Sequence, residues 1–369
     1  MTLQDLLQAR VDDGTVPGAV GLVATGDDVE VAAVGLEPDA IFRLASITKP
    51  ITAAAVLILL DEGKLALGDE IAKWLPELAN PQVVRTPASP IDDVVPANRP
   101  ITVADLLTFR AGYGFGSDFA LPAFGAILGF MGDGRDPSSQ PTQDEWLARL
   151  AELPMAAQPG EQWLYNTCSD LQGVLVSRVS GQPFADFLAE RVFTPLGMVD
   201  TGFFLPGYKI ERMPTAYQPD ADGALTVWER PGGRWRTLPA FASGAGGLAG
   251  TAEDYLRFGR MLLAGGGDVL SAESVRLMTT NHLTQQQSER ATLFLEGQGW
   301  GYGGSVDVAD VDPWNVPGRY GWVGGTGTTA HVVPATNSVQ VLLTQVSMTS
   351  PTPQPIMREF WRYAAGRAA

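Results

Sequence analysis

The stretch from Phe42 to Leu60 constrains this chain more than any other. Ile51 to Leu60 is almost continuously apolar, as expected of a helix inserted between layers rather than lying on a surface. Ser46 precedes Lys49 by three residues at the start of that run, so the two share a helical face. A lysine amine beside a hydroxyl can take its proton if the amine is neutral, and burial favours the neutral form. Pro50 falls in the first turn, where little helical hydrogen bonding is lost. The other lysines, Lys64, Lys73 and Lys209, have Asp61, Glu70 and Pro206 three residues back, so no second pair competes. The same residues also fit an N-cap serine followed by a solvated first-turn lysine, and locally both readings stay open.

Composition narrows the classes. The chain has 369 residues, 45% hydrophobic and 18% charged, enough for one large or two interleaved domains with a substantial core. Its net charge of −16 repels nucleic acid and anionic membrane surfaces. The single cysteine, Cys168, forms no internal disulfide, and His282 with His331 make no credible zinc cluster, so no metal and no cofactor is expected. No apolar segment is long enough to cross a bilayer, and the N-terminus lacks the pattern of an export signal, which makes a cytoplasmic location the expectation.

In chain order, a first helix precedes a hairpin, 18–25 and 29–34, turning at Gly26-Asp-Asp28. Residues 80–100 read as a loop, and Thr102 with Asp105 has capping-box spacing for a short helix over 101–108. The glycine and aromatic mixture of 111–140 is too irregular for one helix and reads as a lid, a pocket wall or a structural excursion. Helical spacing returns over 144–153 and 171–196, broken near Gly181 and Pro183, and a turn delivers Tyr165 to the start of the second. Residues 205–240 are loop-rich, and the glycine run 244–250 lacks the spacing of a phosphate-binding turn. A helix over 252–263, a hairpin of 329–333 with 339–344, and a helix from about 355 to 365 complete the chain. Strands at both ends with helices between suggest one sheet assembled from the two termini.

Three features in this order, Ser46-x-x-Lys49, Tyr165-Asn166-Thr167 and Trp322-Val-Gly324-Gly325-Thr-Gly-Thr328, resemble the serine hydrolases of the β-lactamase and penicillin-binding fold. Within that superfamily the chain is most similar to the class C β-lactamase-related esterases called family VIII. Supporting stretches are 104–112, 195–198, 247–255 and 278–282, and the likeness spans roughly residues 16–345. The resemblance implies a mixed α/β (α+β) fold, with an antiparallel sheet from N- and C-terminal strands flanked by helices. Residues 1–75 and 231–369 would form that sheet domain, 76–230 a mainly helical insertion, and the site would lie in the cleft between them.

Carried over by motif, Ser46 is the nucleophile and Lys49 and Tyr165 form a coupled proton-transfer pair. The backbone N–H groups of Ser46 and Gly325 form the oxyanion hole. Trp322, Gly324, Asn166, Thr167, Tyr113 and Phe115 would meet a small-molecule ester. The family pattern Tyr-x-Asn is altered, since the asparagine is Asn166 and Thr167 takes the third place. Trp322-Val-Gly324 replaces Lys-Thr-Gly, removing an ammonium suited to a substrate carboxylate, as in the esterase branch. A β-lactamase, a D-amino-acid peptidase or amidase, an acyltransferase and an acylatable protein without turnover are the alternatives. A Ser-His-Asp hydrolase is disfavoured, because no serine sits in a Gly-x-Ser-x-Gly elbow. The oligomeric state is left open.

Overall fold

The computed structural model describes residues 1–132, 136 and 139–368. A seven-stranded antiparallel sheet organises it. In spatial order its strands are Asp28–Val34, Ala19–Thr25, Ser338–Thr344, Thr328–Val333, Tyr320–Gly324, Ser305–Val306 and Gly299–Trp300. The N-terminal hairpin thus joins the C-terminal one, Ala19 pairing with Thr344 and Thr25 with Ser338. The sheet is covered on both faces, and the strand sequences show it through their period of two. Val20, Leu22 and Ala24 face one core with Tyr255, Leu256 and Phe258 of the helix Ala252–Leu263. Ala19 and Val23 face another, with Leu3 and Leu7 of the helix Leu3–Asp12 and Phe360 of the helix Pro355–Ala368. Gly21 lies on that second face, where a side chain would press on Leu3 and Leu7.

The helix Thr48–Asp61 runs through the first core with Thr48 to Leu59 all buried, which is why it carries no polar stripe. Beside it packs the helix Thr167–Ser180, also buried over most of its length. Thr102 caps the helix Val103–Leu107 in a full capping box with Asp105, as the spacing predicts.

Three stretches hold more structure than their sequence suggests. Within 80–100, Gln82–Val84 pairs with Val94–Pro96, and within 205–240, Ala216–Pro219 pairs with Leu225–Glu229. Such short strands have too few residues to show an alternation. Within 111–140 lies the ten-residue helix Pro122–Met131, started by a proline at its first position; residues 133–135 and 137–138 of that stretch lie outside the described residues. Among the described residues no helix is long and apolar enough to cross a membrane.

Candidate active site

Ser46 lies in a single turn of 3₁₀-helix, Ala45–Ile47, that leads into the helix Thr48–Asp61. It does not cap that helix: the N-cap is Ile47, with no side-chain capping bond. Lys49 is fully buried, so the reading of an N-cap serine beside a solvated lysine is excluded. Ala45, just before Ser46, has a left-handed backbone with φ 47°, which costs a non-glycine residue about 1 kcal/mol. Such strain persists only where the surroundings enforce it. Here the enforcing bonds come from the loop and strand beyond Tyr320–Gly324. Thr326 Oγ1 donates to the Arg43 carbonyl at 2.6 Å and Thr328 Oγ1 to the Leu44 carbonyl at 2.8 Å.

The Lys49 amine has three acceptors around it. Nζ lies 2.8 Å from Ser46 Oγ, 2.8 Å from Asn166 Oδ1 and 2.6 Å from the Ala245 carbonyl oxygen. An ammonium satisfies all three. A neutral amine keeps two N–H bonds for the two carbonyl oxygens, which can only accept, and turns its lone pair to the hydroxyl, which can donate. Burial pushes the Lys49 pKa down to about 7, against the attraction of Asp170, so the neutral form is accessible near neutral pH.

Asn166 reaches Lys49 through an unusual backbone. Its φ of 83° and ψ of −65° are those of a classic γ-turn, and the Thr167 N–H donates to the Tyr165 carbonyl at 3.3 Å. The turn brings Tyr165 and Asn166 to the same amine, with Lys49 Nζ 4.7 Å from the Tyr165 ring centroid. Asn166 Nδ2 and Thr167 Oγ1 both approach the Met131 sulfur, at 3.8 Å and 3.7 Å. Thr167 is fully buried there, so it is Asn166 that presents a side-chain amide to the site.

Tyr165 is held on every side. Its backbone pairs with Phe115, its ring stacks on Phe294 at 4.9 Å, and the Trp322 indole N–H donates to its hydroxyl at 2.8 Å. Burial pushes the phenol up to about 12, opposed by hydrogen bonds with Ser46 and Trp322. Trp322 in turn meets Trp300 edge-on at 4.8 Å. Phe115 meets Tyr165 edge-on at 5.6 Å, whereas the Tyr113 side chain is buried in the core.

The hairpin that carries Trp322 turns through Gly325, Thr326 and Gly327. Gly324 is needed for close packing: a Cβ there would lie 2.1 Å from Thr328 Oγ1 and 2.5 Å from the Leu44 carbonyl oxygen. Gly325 has open space at its Cβ position, and its carbonyl accepts from Met348 N–H at 2.8 Å.

The sequence reading missed three participants: Phe294, the Ala245 carbonyl and Asp170. The glycine run 244–250 places Ala245 beside the amine because Gly244 permits close passage; a Cβ there would lie 2.3 Å from the Ser169 carbonyl oxygen. Asp170 lies in the first turn of the helix Thr167–Ser180, where a carboxylate is ordinary, so no spacing in the sequence singles it out. His331 is buried in its strand, with Nδ1 3.2 Å from Thr329 Oγ1. Among the described residues no group of three or more His, Cys, Asp or Glu side chains is placed to hold a metal ion.

A sheet built from both termini, with a serine and a buried lysine at the start of a central helix, defines a class that comparison with known proteins makes specific. Residues 3–356 match the Beta-lactamase family, and the chain belongs to it, among serine hydrolases whose members include esterases. A Mycobacterium tuberculosis protein described as uncharacterized is 40% identical over 326 residues, 85% of this chain and 79% of that one. Esterase EstB of Burkholderia gladioli is 33% identical over 295 residues, 75% of this chain and 69% of its own. The solved structure of EstCE1, described as a hydrolase with promiscuous acyltransferase activity, superposes with a TM-score of 0.81 at 25% identity, covering 98% of this chain and 97% of that one.

Proposed function

We propose that this protein hydrolyses carboxylic esters through an acyl-enzyme formed on Ser46. One observation carries the reading: the buried Lys49 amine lies 2.8 Å from Ser46 Oγ while two carbonyl oxygens engage its remaining N–H bonds. As Ser46 Oγ attacks the ester carbonyl carbon, its proton passes into the Lys49–Tyr165 pair, where it belongs to the pair rather than to either side chain. The developing oxyanion is received by the backbone N–H groups of Ser46 and Gly325, an arrangement in which one donor is worth about 3 kcal/mol. The C–O bond to the alcohol breaks and the alcohol leaves with the proton from the Tyr165 side. Water then attacks the acyl carbon with the same pair as base, the bond from that carbon to Ser46 Oγ breaks, and the pair returns the proton to Ser46 as the acid leaves. The aromatic wall of Tyr165, Phe115, Phe294 and Trp322 suits apolar acyl or alcohol groups.

The test pairs p-nitrophenyl butyrate turnover with labelling by a fluorophosphonate, in the unaltered protein and in Ser46→Ala. Turnover and labelling that both vanish in the variant support the reading. Labelling without turnover would instead describe an acylatable protein that does not release its acyl group.

A further inference from the structure

Asp170 touches none of the groups that would meet an ester, yet it is buried beside them. Its Oδ1 accepts from Ser243 Oγ at 2.7 Å and from the Ala245 N–H at 3.1 Å. The carbonyl of that same Ala245 takes the 2.6 Å bond from Lys49 Nζ. Thr52, one helical turn after Lys49, binds the adjacent Gly244 carbonyl at 2.8 Å, so the segment 243–245 is pinned from both sides. A carboxylate whose only duty was to order a loop could be replaced by a serine or an amide without burying a charge. Among the described residues, the charge that a carboxylate here acts on is that of Lys49.

Resting on the reading of Ser46 and Lys49 just given, we propose that Asp170 is a positioning residue that holds the Ala245 carbonyl on the Lys49 amine and sets that amine's proton affinity through its charge. The groups involved are few. Among the described residues the titratable group against Lys49, besides Asp170, is Tyr165, and the charged group that acts on Asp170 is Lys49. Each favours the charged form of the other: burial pushes the Asp170 carboxyl up, and Ser243, the Ala245 N–H and Lys49 pull it back down. The negative charge therefore raises the proton affinity that burial lowers, and keeps the amine poised near neutrality.

The experiment is the pH profile of kcat/KM for p-nitrophenyl butyrate in the unaltered protein, Ser46→Ala, Asp170→Asn and Ser243→Ala. Asp170→Asn keeps an acceptor for Ser243 and Ala245 but removes the charge. Its acid limb is expected to move to lower pH by about one unit, with KM little changed. Ser243→Ala removes one bond to the carboxylate, disfavours its charge, and should move the limb the same way by less. An acid limb that stays in place in both variants, even with lower overall rates, overturns the inference and leaves Asp170 a structural residue. If Asp170→Asn does not fold, Ser243→Ala decides alone. Turnover that persists in Ser46→Ala would instead overturn the reading of the site itself, so the two failures are separable.

Discussion

The Trp322 indole N–H donates to the Tyr165 hydroxyl at 2.8 Å, joining the sheet hairpin to the helical region across the site. That bond orients the phenol and leaves its proton free to point toward Ser46. Trp322→Phe keeps one six-membered ring and deletes the donor together with part of the buried ring volume. A net neutral hydrogen bond is worth about 1 kcal/mol, so kcat for a neutral ester should fall roughly fivefold, accompanied by a lower thermal midpoint from the lost packing. A variant as fast as the parent would show that the bond has no part in turnover.

Ser46→Ala should abolish ester hydrolysis and covalent labelling while leaving the fold intact, because a hydroxyl deletion at a partly exposed turn costs little packing. Lys49→Ala and Tyr165→Phe should each lose nearly as much, since members of one proton-transfer unit are not additive. A Lys49→Ala/Tyr165→Phe double variant far slower than either single variant would contradict the coupled pair.

The acid limb of the rate profile should belong to Lys49. On the proposed reading the Lys49–Tyr165 pair accepts the Ser46 proton only while the amine is neutral, and burial lowers the Lys49 pKa to about 7, so kcat/KM should rise with pH through that value and not fall. Profiles measured between pH 5 and 9 in two salt concentrations would check this. A rate that is flat across that range would argue against a titrating lysine.

Gly324→Ala should destabilise the protein without touching a catalytic side chain. The new Cβ would lie 2.1 Å from Thr328 Oγ1 and 2.5 Å from the Leu44 carbonyl, and both partners are buried. Overpacking of this kind costs about 2 kcal/mol or more, readable as a lower denaturant midpoint at unchanged slope. A parent-like midpoint would mean that the strand can slide relative to Leu44.

Neutral short-chain esters should be turned over much faster than penicillins or cephalosporins. If, as the motif resemblance implies, Trp322 takes the place of the lysine in the third β-lactamase motif, a charged hydrogen bond to a substrate carboxylate worth about 2 kcal/mol is missing. The net charge of −16 adds a longer-range repulsion of the same anions that salt screens. Trp322→Lys should raise the ratio of cephalosporin to ester efficiency. Comparing kcat/KM for p-nitrophenyl butyrate and a chromogenic cephalosporin in both proteins tests the order, and a parent that already prefers the cephalosporin would reverse the substrate assignment.

Local sequence by itself determined the elements whose physics is local. Apolar stretches flanking short turns marked the two terminal hairpins, the almost continuous apolar run after Lys49 marked a buried helix, and Thr102 with Asp105 marked a helix start. Each of these depends on neighbours within a few residues. The ordered motifs gave the family and the general architecture. What only the tertiary structure decided is the surroundings of the Lys49 amine. Its acceptors come from Ser46, Asn166 and Ala245, the last 196 positions from Lys49 in the chain. The Asn166 γ-turn that aims its amide, and the burial of Thr167 against Met131, follow from packing that no spacing rule encodes. Asp170 could not be singled out from sequence for the same reason: a carboxylate in the first turn of a helix usually faces solvent, and only the segment 243–245 closing over it turns it into a buried charge beside a lysine.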